Sequence, residues 1–242
     1  MSEILFLLVV FLSNIIQCVT GFAGTVLAMP FSLMLVGYPV AKPILNVLGV
    51  AASVGVVATN HGHINKKEFL KIVSIMLSGI VVGIFISEHF TQYAEKLYFA
   101  LGVTVIAIAF INMIKLFTNK EDSELPKAVG IVLLVLSGLI HGIFDCGGPL
   151  LVAYASAKMK DSHELRSTLS SVWIVLNSII FFSDIHEGYF ISHTAWLTLI
   201  CLVVLVFAVI LGNIISRKLS RKAFLVLTYV LMLISGVSLM LK

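Results

Sequence analysis

The sequence FDCGGP at residues 144–149 lies in the middle of an apolar run that is bounded by Lys127 and Lys158. Glycine permits unusual backbone dihedral angles and proline suits the first turn of a helix, so FDCGGP predicts a break between two helices. If both lysines lie on the same side of a membrane, each leg of the run has at most about 15 residues, or about 22 Å of helix. The hydrocarbon core is about 30 Å thick. The run therefore predicts a helical hairpin that turns within the membrane.

The composition is typical of a protein embedded in a lipid bilayer. Of the 242 residues, 60% are hydrophobic and only 12% are charged, whereas about a quarter of the residues of a soluble domain are charged. The basic residues, which give a net charge of +4, occur in short tracts between apolar runs. Nucleic acid is therefore not a predicted partner, and the tracts indicate topology. The cysteines lie far apart in apolar stretches and predict neither a disulfide framework nor a metal centre.

Apolar runs and basic residues together predict the membrane topology. Six runs are long enough to cross a bilayer, while the runs that begin at Val26 and Leu150 are too short to cross alone. Because basic residues concentrate on the cytoplasmic side, the consistent alternation places both termini outside. Only three basic residues then lie outside, namely Lys42, Lys96 and Lys242. Thirteen basic residues then lie inside: Lys66, Lys67, Lys71, Lys115, Lys120, Lys127, Lys158, Lys160, Arg166, Arg217, Lys218, Arg221 and Lys222.

The two halves of the chain share a pattern. When the first half is shifted by 124 residues, residues 21–25 fall on residues 145–149 and Lys42 falls on Arg166. Each half then holds one hairpin and three crossings, and an odd number of crossings inverts the second half, as in many secondary transporters. The predicted fold is an all-α integral membrane protein with two inverted repeats, each a broken or re-entrant helical hairpin followed by three transmembrane helices. The predicted domains are a first repeat at 1–118, a cytoplasmic linker at 119–127 and a second repeat at 128–242.

Two glycine-rich stretches, TGFAGTVLAMP at 20–30 and GIFDCGGPL at 142–150, resemble the two signatures of the TauE/SafE sulfite exporter family. The resemblance covers the whole chain and implies two related halves of about four hydrophobic segments each. It also implies the passage of sulfite, sulfonates and related sulfur-containing anions. The chain departs from the family pattern at 23–25, where a glycine triplet is favoured, at Asp145, which replaces a glycine, and at Tyr154, which replaces a proline. These departures leave open which anion is carried.

The predicted anion site is built from the two breaks. A helix that restarts after Thr25, and another that restarts after Pro149, would each present unpaired backbone N–H groups and the positive end of a helix dipole. Two such ends that converge from opposite sides would hold a compact oxyanion. Neighbouring side chains add donors. The predicted substrate-binding residues are Thr20, Gly21, Gly24, Thr25, Asn46, Cys146, Gly147, Gly148, Ser170, Ser171 and Asn177.

His141 and Asp145 are the candidates for proton coupling, because ionisable groups at membrane depth are costly and usually functional. They lie one helical turn apart. One hypothesis is that Asp145 carries a proton during anion movement, since a bare carboxylate would repel the anion. The alternative is that Asp145 caps the broken helix or faces trapped water.

Other motifs predict structure rather than chemistry. The glycine pairs Gly79/Gly83 and Gly138/Gly142 are typical of close helix packing in membranes. The loose spacing of His61, His63 and Glu68 favours a solvated loop over a metal site. No metal and no cofactor is predicted.

The sequence predicts a transporter rather than an enzyme, because the motifs of intramembrane proteases and the Walker A motif are absent from it. The predicted function is a permease or exporter of sulfite or a related anion, by alternating access. An importer of an organic sulfonate or carboxylate and an anion channel stay open as alternatives. Lys42 and Arg166 either attract anions to the two entrances or act as topology determinants. The expected location is the plasma membrane of a bacterium or archaeon, and the expected partners are a small inorganic or organic anion and the bilayer, with a homodimer left open.

Overall fold

The computed structural model describes residues 2–90, 94–118, 125–144 and 147–240, and the described residues form ten α-helices, one 3-10 turn and no strand. The all-α membrane fold predicted from the sequence is confirmed. The helices are α1 (Ser2–Thr20), α2 (Ala23–Val36), α3 (Tyr38–Asn60), α4 (Lys66–Phe90), α5 (Ala94–Phe117), α6 (Lys127–Phe144), α7 (Gly148–Lys158), α8 (Ser162–His186), α9 (Ser192–Lys218) and α10 (Arg221–Met240).

Several of these helices are built to face lipid. In the part of the chain that the structure describes, five helices are long and apolar enough to cross a membrane: α1, α3 with its 3-10 extension, α4, α8 and α9. Large apolar side chains on α9 are exposed at helical spacing, with Leu199 at 56%, Val203 at 62% and Phe207 at 63%. Polar side chains such as Asn46 and Thr194 are fully buried instead. This arrangement suits a bilayer, because acyl chains are as apolar as the side chains and the side chains can remain exposed to them without cost.

The helices α2 and α7 are the short legs of the two hairpins. The former has 14 residues and the latter 11, or about 21 Å and about 16 Å of helix. Both are shorter than the hydrocarbon core. Between α2 and α3 the chain turns at Gly37, which has φ +77° and donates its N–H to the Leu33 carbonyl over 3.1 Å. The prediction that these two runs cannot cross alone is therefore confirmed.

The helices pack into two compact units that do not follow the sequence halves. The first unit comprises Met1–Phe69 and Arg166–Leu219, so that most of α8 and α9 from the second half pack with α1, α2 and α3. The second unit comprises Leu70–Leu165 and Ser220–Lys242, with most of α4 together with α5, α6, α7 and α10.

Helix boundaries repeat along the chain at the predicted spacing. Shifted by 124 residues, α1 would span 126–144 and α3 would span 162–184, while the observed α6 and α8 are Lys127–Phe144 and Ser162–His186. Within the first unit α3 and α8 are antiparallel, since Asn46 contacts Asp184 whereas Gly49, further along α3, approaches Asn177. An inverted repeat requires this orientation of the pair. The inverted relation of the halves, and the domain boundaries drawn from it, stay predictions.

The predicted glycine pairs lie where two helices of the second unit touch. A Cβ added at Gly79 would lie 2.6 Å from the Val135 carbonyl oxygen, and one added at Gly83 would lie 2.5 Å from that of Leu139. The glycines on α6 approach α4 in the same way, because a Cβ at Gly142 would lie 2.5 Å from the Ile80 carbonyl oxygen. Only glycine allows backbones this close, in agreement with the packing role predicted for both pairs.

Candidate functional site

The first break falls at Gly21, between α1 and α2. Gly21 has φ +84°, a conformation that side chains with a Cβ rarely adopt. A Cβ at this position would also lie 3.1 Å from the carbonyl oxygen of Arg166 on α8. Left-handed backbone and close approach of another helix both require glycine here, and the predicted break is confirmed.

Side chains of α1 cap the start of α2. The Thr20 hydroxyl donates to the Ile16 carbonyl over 2.8 Å and lies 3.3 Å from the backbone nitrogen of Ala23, from which it accepts a hydrogen bond. The backbone N–H of Gly24 donates to Gln17 Oε1 over 2.8 Å. The expectation that α2 restarts after Thr25 with unpaired donors is therefore wrong for its first residues.

The physical reason for this correction is the cost of an unpaired N–H in a buried site, which favours capping by whatever acceptor lies near. Gln17 was missed because it sits seven residues before its partner, on the other leg of the hairpin. The close packing of α1 against α2 is what brings Gln17 within reach of Gly24, since a Cβ at Gly24 would lie 2.6 Å from the Cβ of Gln17.

Arg166 closes the opposite side of the first break. Its guanidinium donates from Nε to the Cys18 carbonyl at the end of α1 and from Nη2 to Asn213 Oδ1 on α9. The side chain is almost fully buried. An arginine held on both sides within the first unit does not serve as an exposed attractor of anions, so that hypothesis fails for Arg166.

The second break precedes α7, which begins at Gly148 rather than after Pro149. Gly147 precedes it with φ −68° and, as a glycine, brings no side chain of its own to cap the helix. The Ser137 hydroxyl of α6 donates to the Gly147 carbonyl over 2.7 Å. A Cβ at Gly147 would lie 2.7 Å from the Cβ of His141, so close packing demands glycine.

The structure describes only some of the other residues predicted at this break. His141 is buried on α6 in contact range of Gly147. Asp145 and Cys146 lie outside the described residues, so their proposed roles stay predictions. The convergence of the two breaks on one anion stays a prediction as well.

Several of the predicted polar residues come together in the first unit, around Gly49 of α3. A Cβ at Gly49 would lie 2.8 Å from Asn177 Nδ2 on α8 and 3.6 Å from Thr25 Oγ1 on α2. Asn46 lies one helical turn before Gly49 and Ser53 one turn after it, so both share its face of α3. On α8, Ser170 lies two turns before Asn177 and shares its face. We call Thr25, Asn46, Ser53, Ser170 and Asn177 the α3–α8 cluster.

The cluster holds polar atoms that the fold does not use. Ser171, also a predicted site residue, donates within its own helix to the Ser167 carbonyl over 2.9 Å. The hydroxyls of Ser53 and Ser170 and the Oδ1 atom of Asn46 are buried and have no hydrogen-bond partner in the part of the chain that the structure describes. Leaving a buried polar group unsatisfied costs about 1–3 kcal/mol. The sequence identified Ser170 and Asn46 but missed Ser53, which only the position of Gly49 reveals.

A buried ion pair lies at one end of the cluster. Lys42 Nζ is 2.8 Å from Asp184 Oδ1, and Asp184 is fully buried. The second carboxylate oxygen accepts from Asn46 Nδ2 over 3.3 Å. Because Lys42 is paired, its charge is neutralised, and the hypothesis that it attracts anions to an entrance loses support. The repeat did not reveal this pair, since it aligns Lys42 with Arg166 instead.

An aromatic ring shields the same ion pair. Tyr189, in the loop between α8 and α9, places its ring centroid 5.4 Å from Lys42 Nζ, a distance at which a cation and a ring face attract. Burial raises the pKa of Tyr189, and a hydrogen bond with Glu187 raises it further. The ring over the lysine is therefore neutral at physiological pH.

Apolar spanning helices and two short broken hairpins define a multi-pass integral membrane protein. The model of one family, the sulfite exporter TauE/SafE, matches residues 6–239. The chain therefore belongs to the TauE/SafE sulfite exporter family, and the resemblance of its two glycine-rich stretches is confirmed. Comparisons with curated proteins and with solved structures give no match.

Proposed function

We propose that the protein is a secondary transporter that carries sulfite or a related small sulfur-containing anion through the membrane by alternating access. The observation that carries the proposal is the α3–α8 cluster, where the buried hydroxyls of Ser53 and Ser170 have no partner among the described residues. Family membership supports the substrate class, since the family is named for sulfite export. The cluster supplies a place where such an anion would be held.

The electrostatics of the cluster suit reversible binding. Lys42 is the nearest cation along α3, and its charge is matched by Asp184. The anion would therefore be held by neutral hydroxyl and amide donors and by the positive end of the α2 dipole beside Thr25. Neutral donors stabilise an anion less than an unpaired lysine would, which allows release on the far side of the membrane.

The orientation of the Asn46 amide narrows the class of anion that the cluster would bind. Its amide nitrogen is committed to Asp184, and the opposite amide orientation would set two oxygens against each other. Its Oδ1 atom is therefore left as an acceptor beside the hydroxyls. An acceptor favours an anion that itself carries a hydrogen, such as hydrogen sulfite or an amino sulfonate, over fully deprotonated sulfate. Proton movement coupled to transport would then travel on the substrate.

The proposal is tested with two neighbouring serines that differ in their bonds. Ser170→Ala removes an unpartnered hydroxyl and should weaken the apparent affinity for sulfite in proteoliposomes about tenfold or more. Ser171→Ala removes a hydroxyl that is bonded within α8 and serves as the matched control. Thermal stabilisation of the purified protein by sulfite, compared with sulfate and small sulfonates, measures binding directly.

The expected results separate the cluster from general damage to α8. Ser170→Ala should leave the melting temperature of the ligand-free protein unchanged or higher, because the hydroxyl has no partner to lose. Equal loss of sulfite affinity in the two variants would overturn the assignment of the site. Saturation of flux with concentration, together with counterflow, distinguishes a carrier from a channel.

A further inference from the structure

The two ends of the α3–α8 cluster are held by different kinds of contact. From Arg166 to Asp184, helix α8 rises about 27 Å, close to the roughly 30 Å thickness of the hydrocarbon core. Ser170 and Asn177 lie between these two residues. At one end, Arg166 donates to neutral acceptors on α1 and α9. At the other end, Asp184 joins α8 to α3 through opposite charges.

Two contacts between α3 and α8 meet at the carboxylate of Asp184. Lys42 Nζ lies 2.8 Å from Oδ1, and Asn46 Nδ2 donates to Oδ2 over 3.3 Å. Lys42 stands in the second turn of α3, and Asp184 stands in the last turn of α8. A displacement of this one carboxylate would therefore release both contacts at the same time.

A buried ion pair suits a contact that breaks and re-forms. Removing two charges from water costs free energy that their attraction repays only in part, and each charge regains its hydration when water enters between them. An apolar contact would instead expose apolar surface to water as it separated. Buried ion pairs are accordingly better attested as devices for register and switching than as sources of stability. The chemistry of Lys42 and Asp184 therefore fits a closure that opens.

The ring of Tyr189 covers the ion pair from the loop that follows α8. In this loop Gly188 has φ +77°, and the N–H groups of Gly188 and Tyr189 donate to the Ile185 and Asp184 carbonyls over 3.0 and 3.1 Å. The turn brings the chain back over Lys42, whose Nζ lies 5.4 Å from the Tyr189 ring centroid. A rotation of the Tyr189 side chain would uncover the ion pair while these backbone bonds stay in place.

We propose that Lys42 and Asp184 form a gate at one end of the α3–α8 cluster and that the Tyr189 ring is its lid. The gate is closed in the state that the structure describes, and its opening would admit an anion to Ser53 and Ser170. In the predicted topology this end of the cluster faces the outside. The inference rests on the proposed transport function, but access to the cluster can be measured without a substrate.

The test measures how fast a water-soluble thiol reagent reaches the cysteine introduced by Ser53→Cys in the full-length protein in lipid nanodiscs. Ser53 lies about 16 Å of helix beyond Lys42, and the protein that retains Ser53 gives the background from the native cysteines. Adding Lys42→Gln/Asp184→Asn replaces both charges by neutral amides, and the thiol should then react about tenfold faster. The matched control Glu3→Gln/His193→Gln removes an exposed pair of the same unit, joined over 3.1 Å, and should leave the rate unchanged.

A second variant tests the lid and leaves the ion pair in place. Tyr189→Ala should raise the labelling rate of the same thiol about threefold, because the contact of a ring with a cation is weaker than an ion pair. Tyr189→Phe keeps the ring and should react like the parent. An unchanged rate in Lys42→Gln/Asp184→Asn, or an equal rise in Glu3→Gln/His193→Gln, would overturn the gate. Equal rates in the two Tyr189 variants would overturn the lid.

The gate and the proposed function can fail separately. Sulfite binding is measured by thermal stabilisation of the protein that retains Ser53. If sulfite does not stabilise this protein while Lys42→Gln/Asp184→Asn still speeds labelling, the proposed function fails and the gate stands. If sulfite stabilises it while the same variant leaves labelling unchanged, the gate alone is overturned.

Discussion

The two breaks look alike in the sequence but satisfy their backbone groups differently. At the first break, Thr20 and Gln17 occupy the N–H groups that open α2. At the second, the N-cap residue Gly147 brings no side chain of its own, and Pro149 in the first turn has no N–H to satisfy. At the first break, side chains thus cap the backbone N–H groups. At the second, the proline reduces the number of N–H groups that need a partner. A glycine-rich interruption therefore does not by itself define an anion site.

The difference between the breaks favours side chains, rather than backbone N–H groups, as the groups that would bind the anion. In the first unit the buried polar atoms without a hydrogen-bond partner among the described residues include those of Asn46, Ser53 and Ser170 on α3 and α8. The capped start of α2 still contributes its dipole, because capping satisfies N–H groups without reversing their alignment. Binding then depends on helices that pack around the break rather than on the break alone.

The largest expected effect comes from the ion pair between Lys42 and Asp184, at one end of the α3–α8 cluster. Lys42→Met leaves Asp184 as a buried charge without its cation and should lower the free energy of unfolding by about 3–5 kcal/mol. Unfolding in mixed micelles measures the change. Lys42→Met combined with Asp184→Leu should recover most of the loss, and a double variant as unstable as the single one would contradict a pairing role.

A smaller effect is expected where side chains close the first break. Gln17→Leu leaves the Gly24 N–H without its acceptor and should lower the free energy of unfolding by about 1–3 kcal/mol. The matched control is Asn14→Leu on the same helix, because its amide donates to the Val10 carbonyl within α1. If the two substitutions have equal effects, the cap on Gly24 is not what stabilises the turn.

The corresponding change at the second break should matter less. Ser137→Ala removes the donor to the Gly147 carbonyl and should destabilise by about 1 kcal/mol, since an under-satisfied carbonyl is better tolerated than an unpaired N–H. Thermal unfolding of this variant beside Gln17→Leu compares the breaks directly. A larger loss for Ser137→Ala would reverse the ranking of the two breaks.

The smallest change in stability is expected inside the cluster. Ser53→Ala deletes a buried hydroxyl that none of the described residues bonds, so the free energy of unfolding should stay within about 0.5 kcal/mol or rise. Sulfite transport should fall nonetheless. A clear loss of stability would mean that the hydroxyl is bonded inside the fold and is not available to an anion.

The sequence predicted the helices better than the contacts between them. Apolar runs and the glycines at 21 and 147 located both breaks, because chain length and backbone freedom are local properties. The true start of α2 at Ala23 was missed, since it depends on Gln17 reaching across the hairpin. The bonds of Arg166 to Cys18 and Asn213 join residues far apart in the chain, which neither composition nor periodicity encodes.

Arg166 has a mechanical consequence as well. Its guanidinium joins the end of α1, the C-terminal part of α9 and its own helix α8 through two charge-assisted hydrogen bonds. Sliding any of these helices past the others would rupture bonds that are stronger than those between neutral groups. These three helices are therefore expected to move as one rigid block in a transport cycle. Ser170 and Asn177 would then keep their positions relative to the turn at Gly21.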